Sequence, residues 1–182
     1  MEPITLLAQA IGLVAMGFNI LSYQRKTRSG VIGFQLCGSS LFALNFLLLG
    51  ATMGAILNII SAIRAIVFLN RDKLKANHPL WLAGFMITYF ASYVLTFTVL
   101  GMPATAMNLL VEFLPVVGMI ATTLSFRMTD AKAIRRFALI SSPCWLMYNL
   151  AAFSLGAIIC EVMSLGSILI GMKRLDSRKA GA

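Results

Sequence analysis

Apolar residues dominate seven long stretches of the chain, and short polar segments separate them. A helix needs about 20 apolar residues to cross the hydrocarbon core of a bilayer, whereas a strand of a membrane barrel needs about 10. The stretches have helical length, and lipid leaves backbone groups unpaired outside helices and closed barrels. The pattern therefore predicts an all-α integral membrane protein with seven transmembrane helices. The predicted spans are 4–23, 31–49, 53–70, 80–100, 103–126, 136–154 and 157–172.

Two connections between these spans are very tight, at residues 50–52 and 155–156. Pro79 and Pro103 stand where the first turn of a helix tolerates proline. They therefore mark the expected starts of spans four and five.

The composition excludes a soluble protein. Of the 182 residues, 59% are hydrophobic and 12% are charged, and the mean hydropathy is +0.89. Soluble domains carry about 25% charged residues, so this chain has too few charges to cover a surface in water. We expect a single membrane domain.

The basic residues lie almost entirely on one side of the predicted bundle. Alternate connections and the C-terminal segment hold 14 of the 15 Lys and Arg residues, and the opposite side holds none. The positive-inside rule places the basic side in the cytoplasm, which predicts an N-terminus outside and a C-terminus inside. This asymmetry also accounts for the net charge of +9 without a nucleic-acid partner.

Two parts of the chain are similar to each other. A shift of 103 residues aligns residues 10–67 with 113–170 without gaps and gives ten identities, among them Ser22 with Ser125. Predicted spans, basic loops and tight turns follow the same order in both copies. The single span between the copies restores the orientation, so both copies cross the membrane in the same direction. The expected layout is a first repeat (4–70), a linker helix (80–100), a second repeat (103–172) and a cytoplasmic tail (173–182).

A short motif carries a resemblance to a known family. Residues 22–30 read SYQRKTRSG and resemble the PQ-loop, in which Pro-Gln ends the first helix and a basic, serine-containing loop follows. Tyr23 stands in place of the motif's proline, and the second copy has neither Pro nor Gln. In layout the whole chain resembles the YgjV-type bacterial inner-membrane proteins, distant relatives of the SWEET, PQ-loop and PnuC transporters. This resemblance implies a SWEET-like 3+1+3 arrangement of parallel three-helix repeats in the bacterial inner membrane.

Three ionisable residues fall inside the predicted spans: Arg64, Glu112 and Glu161. Such residues are costly in a bilayer and mark functional positions by default. Arg64 lies towards the cytoplasmic end of span three, where its long side chain either snorkels to the headgroups or pairs with Glu112. For Glu112, near the midplane, the alternatives are this structural pair, a carboxyl group kept protonated by desolvation, or a part in transport.

The repeat alignment pairs Asn58 with Glu161. SWEETs have a polar residue, usually Asn, at matching places on the third spans of both repeats, so the resemblance implies that these two residues contribute to a solute site. Parallel repeats place them at similar depth on opposite sides of a central cavity. Trp145 either stacks on a ring-shaped solute or packs in the core. The other candidate binding residues expected nearby are Glu112, Asn45, Trp145 and Asn149.

The chain offers little for catalysis or metal binding. Cys37, Cys144 and Cys160 lie in apolar stretches without CxxC spacing, and the only histidine, His78, lies in a polar loop. All three aspartates fall in predicted cytoplasmic loops. An intramembrane enzyme needs a nucleophile with its base, or metal ligands, within the bilayer. We therefore expect no enzymatic activity, no metal and no cofactor.

The function we expect is small-solute transport by a passive facilitator that works through alternating access. The first alternative is a proton- or ion-coupled carrier that uses Glu112 and Glu161, because Glu161 replaces the expected amide. The second alternative is a membrane assembly subunit without transport activity. The expected partners are the lipid bilayer, an unidentified small solute and, in a homo-oligomer, further copies of this chain.

Overall fold

The structure is a computed structural model that describes residues 3–48, 52–151 and 155–176; the side chains of residues 52–54, 149 and 155–157 are not described. In these ranges the chain forms seven α-helices, one π-helical turn and no strand, so the all-α prediction is confirmed. The elements are α1 (Pro3–Ser22), α2 (Arg28–Leu48), α3 (Thr52–Leu69), α4 (Pro79–Thr98), α5 (Ala106–Arg127), α6 (Ala131–Ala151), α7 (Leu155–Gly171) and the π-helical turn Met172–Asp176.

The predicted start of the fifth helix at residue 103 is wrong. Helix α5 begins at Ala106, because the Thr105 side chain accepts a hydrogen bond from the Asn108 backbone N–H at 3.2 Å and caps the helix there. Pro103 lies before this cap, and its carbonyl accepts a hydrogen bond from the Asn108 side chain at 2.8 Å. In contrast, Pro79 is the first residue of α4, as predicted.

The predicted start of the sixth helix at residue 136 is also wrong. Helix α6 begins at Ala131, and the Asp130 carboxylate accepts a hydrogen bond from the Ala133 backbone N–H at 2.6 Å. A helix can extend past the apolar segment when a side chain satisfies its first N–H groups. Helix α7 already includes residues 155–156, so the second expected turn is not there. The first, at 50–52, lies partly outside the described residues.

The outward-facing surface of the helices is apolar. Large hydrophobic side chains such as Leu13, Ile87 and Ile170 are more than half exposed, as expected for positions that face lipid. By length and composition, α1, α2, α4 and α5 could each cross a membrane. The described side chains of α3 form a shorter apolar segment, α7 has 17 residues, and α6 begins with a basic first turn.

Contacts between helices follow a ring. Helix α2 packs between α1 and α3, and α6 packs between α5 and α7. Two seams join these groups: α1 contacts α7, and α3 contacts α5. Helices α2 and α6 also touch, while α4 packs on α5.

An aromatic row fixes α4 on the outside of the ring. Phe85 of α4 stacks between Trp81 and Tyr89, with ring centroids 6.3 Å apart in both pairs. Phe85 also stacks on Phe68 of α3 at 6.2 Å, and Phe68 meets the edge of Phe126 of α5 at 6.0 Å. Buried aromatic pairs of this kind stabilise by about 1 kcal/mol each beyond their buried area, so α4 is held against the α3–α5 seam.

Candidate functional site

A cavity of about 480 Å³ lies within the ring of helices. Its described lining comes from α1, α2, α3, α5, α6 and α7, and α4 contributes none of it. Apolar and aromatic side chains alternate with amides, hydroxyls and two charged groups. The polar lining includes Asn45, Asn58, Thr122, Ser142, Arg64 and Glu161.

Asn58 and Glu161 both line this cavity, from α3 and α7 respectively. The Ser142 hydroxyl of α6 interacts with the Glu161 carboxyl group and with the Tyr23 hydroxyl at the end of α1. Three helices therefore meet around Glu161. Since a carboxyl group and a hydroxyl face the same space, this part of the cavity can accept and donate hydrogen bonds to a polar solute.

Asn45 and Trp145 also line the cavity, and both have partners in the protein. The buried Asn45 side chain donates a hydrogen bond to the Ala8 carbonyl at 2.7 Å, which ties α2 to α1. The Trp145 indole lies against Gly118 of α5, where an added Cβ would stand 2.9 Å from Nε1. Trp145 thus packs closely on α5 while it forms part of the cavity wall.

The structure does not bring Glu112 into this cavity. Glu112 lines a separate pocket of about 40 Å³ between α3, α4, α5 and α6. Its neighbours there include Tyr89, Tyr93 and Tyr148. The side chain of Asn149 lies outside the described part of the structure.

Arg64 lines the central cavity and is 5% exposed. Its Nη1 donates hydrogen bonds to the Tyr89 hydroxyl at 3.1 Å and to the Met119 carbonyl at 3.3 Å, and lies 3.4 Å from the Thr123 hydroxyl. Its guanidinium stands 5.2 Å from the centre of the Phe126 ring. Neither expectation for this residue holds: burial excludes snorkelling, and among the described residues no salt bridge joins it to Glu112.

One end of the bundle carries the basic loops, and we call it the basic end. There, Arg28 bridges the seam between α3 and α5. Its Nη2 donates to the Phe68 carbonyl at 3.1 Å, and its Nε donates to the Phe126 carbonyl, also at 3.1 Å. Both carbonyls belong to the last turns of their helices, where backbone oxygens have no partner within the helix. A cation is favoured at that position.

Arg135 closes the other seam in a similar way. It is 2% exposed, forms a two-bonded salt bridge with Asp176, and donates from Nη1 to the Arg25 carbonyl at 3.0 Å and towards the Tyr23 carbonyl at 3.5 Å. The start of α6 is thus tied to the ends of α1 and α7. Gln24 reinforces this seam, since its side chain donates to the Ser167 carbonyl at 2.6 Å.

The family model described as a bacterial inner membrane protein, Imp-YgjV, matches residues 6–179. The chain belongs to the Imp-YgjV family. The resemblance noted in the sequence is confirmed for this family, and its inner-membrane location agrees with the apolar helices. No curated protein and no solved structure matches the chain.

Two features of this Imp-YgjV chain could not be predicted from its sequence. The hydrogen bond between Arg64 and Tyr89 joins residues 25 positions apart, and no spacing rule connects them. The closure of the basic end by Arg28 and Arg135 depends on which carbonyls the packing leaves free at the helix ends. The one available signal was the position of both arginines near the starts of their helices, because Arg28 is the first residue of α2 and Arg135 is the fifth residue of α6.

Proposed function

We propose that this Imp-YgjV protein is a small-solute facilitator, built as a SWEET-like 3+1+3 bundle of seven spans and working by alternating access. The observation that carries the proposal is the central cavity. It is lined by all six helices of the two sequence repeats and by no described residue of the linker helix α4. A volume of about 480 Å³ lies in the range of small-molecule sites.

Matched contacts within the two repeats support this architecture. The Ser22 hydroxyl donates to the Asn19 carbonyl at 2.6 Å, and the Ser125 hydroxyl donates to the Thr122 carbonyl at 2.7 Å. The shift of 103 residues aligns Asn19 with Thr122 and Ser22 with Ser125. Both serines are buried at the inner faces of α1 and α5, which fits repeats of the same shape.

The two seams between the repeats are also related. At one seam, Ser167 of α7 donates to the Ile20 carbonyl of α1 at 2.6 Å. At the other, Arg64 of α3 approaches Thr123 of α5 at 3.4 Å. The same shift equates Ser167 with Arg64 and Ile20 with Thr123. Two equivalent seams are where one repeat would rock against the other.

In this proposal, Arg28 and Arg135 at the basic end form the gate of the cavity. The repeat shift aligns Tyr23 with Phe126, and the carbonyls of both residues accept from an arginine. The two arginines, Arg135 and Arg28, do not align with each other but are offset by about one helical turn. Breaking these hydrogen bonds would open both seams together. By the positive-inside rule this gate faces the cytoplasm, with the N-terminus outside and the C-terminus inside.

A proton- or ion-coupled carrier is the second candidate function, and Glu161 is the observation that favours it. Its carboxyl group lines the cavity next to Ser142 and Tyr23. A titratable group at a solute site can couple proton binding to solute binding.

Flux into proteoliposomes tests both functions. Purified protein is reconstituted, and uptake of glucose, gluconate and glucosamine is followed without a gradient and with an imposed pH gradient. We expect downhill uptake without a gradient, and Asn58→Ala should slow it about fivefold, the effect of one lost hydrogen bond. The exposed Asn70, replaced by Ala, is the matched control.

Other outcomes separate the candidates. Uptake only under a pH gradient, lost in Glu161→Gln but kept in the control Asp72→Asn, favours the coupled carrier. Uptake of all three solutes no faster than in protein-free liposomes contradicts transport.

A further inference from the structure

The buried guanidinium of Arg64 needs a source of compensation. Arginine stays charged at any physiological pH, and removing a charge from water is costly unless a counter-charge and hydrogen bonds replace the water. Arg64 is 5% exposed, so lipid headgroups and bulk water do not supply that compensation.

The protein satisfies only one side of this group. All hydrogen bonds from Arg64 to described residues leave from Nη1, and they end on neutral acceptors. Nε is buried and has no partner in the described structure. No carboxylate forms a salt bridge with it in the described ranges. Nη2 forms no hydrogen bond with a described residue and is not sealed from the cavity as Nε is. The guanidinium therefore keeps Nη2 as a donor for a ligand in the cavity that it lines.

Under the proposed repeat architecture, the other charged group of the cavity, Glu161, stands at a different level from Arg64. Asn58 precedes Arg64 by six residues on α3, about 9 Å along the helix axis, and the repeat shift equates Asn58 with Glu161. A solute that spans this distance meets a cation at one end. At the other end it meets an amide and a carboxyl group, which bind hydroxyl groups well.

We propose that the cavity binds a small hydroxylated organic anion, with its carboxylate or phosphate on Arg64 and its hydroxyl groups towards Asn58 and Glu161. Of the guanidinium fork, Nη2 has no described partner and can donate charge-assisted hydrogen bonds to such an anion. This inference deepens the proposed transport function and names its solute class.

Calorimetric titration of the full-length protein tests the proposal. The protein is kept in a polyoxyethylene detergent, in a buffer free of phosphate and carboxylate. Gluconate, glucose and glucosamine are the probes, because they share a six-carbon hydroxylated skeleton and differ in charge. Glucose 6-phosphate is the second anion. We expect either anion to bind at least about tenfold more tightly than glucose or glucosamine, the effect of a charge-assisted hydrogen-bond pair.

Variants of Arg64 test whether this side chain causes the preference for anions. Arg64→Gln should abolish the preference for anions, and Arg64→Lys should keep a weaker one, since Lys retains the charge but not the fork. Arg64→Lys carries the test if Arg64→Gln does not fold. Arg136→Gln, on the exposed side of α6, is the matched control and should bind like the unmodified protein.

Three results would overturn the inference: tighter binding of glucose or glucosamine, no binding of any probe, or unchanged anion binding in both Arg64 variants. Flux is measured separately, so the two proposals fail in different ways. Anion binding without flux contradicts transport alone, while flux of glucose or glucosamine without an anion preference contradicts the anion site alone.

Discussion

Gly171 shows how closely the end of α7 approaches the end of α1 and the start of α6. An added Cβ there would stand 2.5 Å from the Tyr23 carbonyl oxygen and 3.1 Å from Cδ of Arg135. The carbonyl belongs to the backbone and cannot rotate away, so the end of α7 must have a residue without a side chain.

Replacement of Gly171 by Ala should therefore destabilise the protein by about 1–3 kcal/mol, as overpacking does. Gly166 lies on the same helix, and an added Cβ there meets nothing within 4 Å. Gly166→Ala should be neutral or slightly stabilising. Thermal unfolding in detergent measures the stability of both variants. Equal unfolding midpoints would contradict the close approach of Gly171 to the Tyr23 carbonyl.

At this scale the sequence predicted part of the candidate site. The repeat shift brought Asn58 and Glu161 to attention, and both line the cavity, which is what the proposed repeat architecture requires. The partners of Arg64 and the position of Glu112 could not be predicted. They depend on how α4 docks on the α3–α5 seam, and α4 lies outside both stretches that the 103-residue shift aligns.

The elements at the basic end are held by one buried ion pair. Arg135 of α6 and Asp176 of the π-helical turn are 2% and 8% exposed, so neither charge has water as a substitute partner. Arg135→Gln should destabilise the protein by about 3–5 kcal/mol, because it leaves Asp176 buried and unpaired.

The double variant Arg135→Gln with Asp176→Asn should lose less than the sum of the two single variants, by at least about 1 kcal/mol. Unfolding midpoints of the four proteins give this coupling. Strict additivity would mean that the two side chains do not interact in the folded protein.

Helix existence was more predictable than helix ends. Long apolar runs favour helices, and each of the seven predicted spans overlaps one α-helix of the described residues. The starts of α5 and α6 depend instead on caps by Thr105 and Asp130, which lie outside the apolar pattern. In α6 the helix runs through two basic residues, Lys132 and Arg135, that hydropathy assigns to a loop.

At the scale of the whole molecule, six helices surround one central cavity, and the proposed alternating access requires this cavity to open to each side of the membrane in turn. The native Cys160 lines this cavity. It therefore reports access to the cavity without any knowledge of the solute. Cys37 and Cys144, the other two cysteines, are replaced by Ala.

The most direct test is labelling of Cys160 by a membrane-impermeant methanethiosulfonate reagent in sealed right-side-out and inside-out vesicles. An alternating-access transporter predicts labelling from both faces of the membrane. Labelling from one face only, or from neither, would contradict the proposed transport pathway through the central cavity.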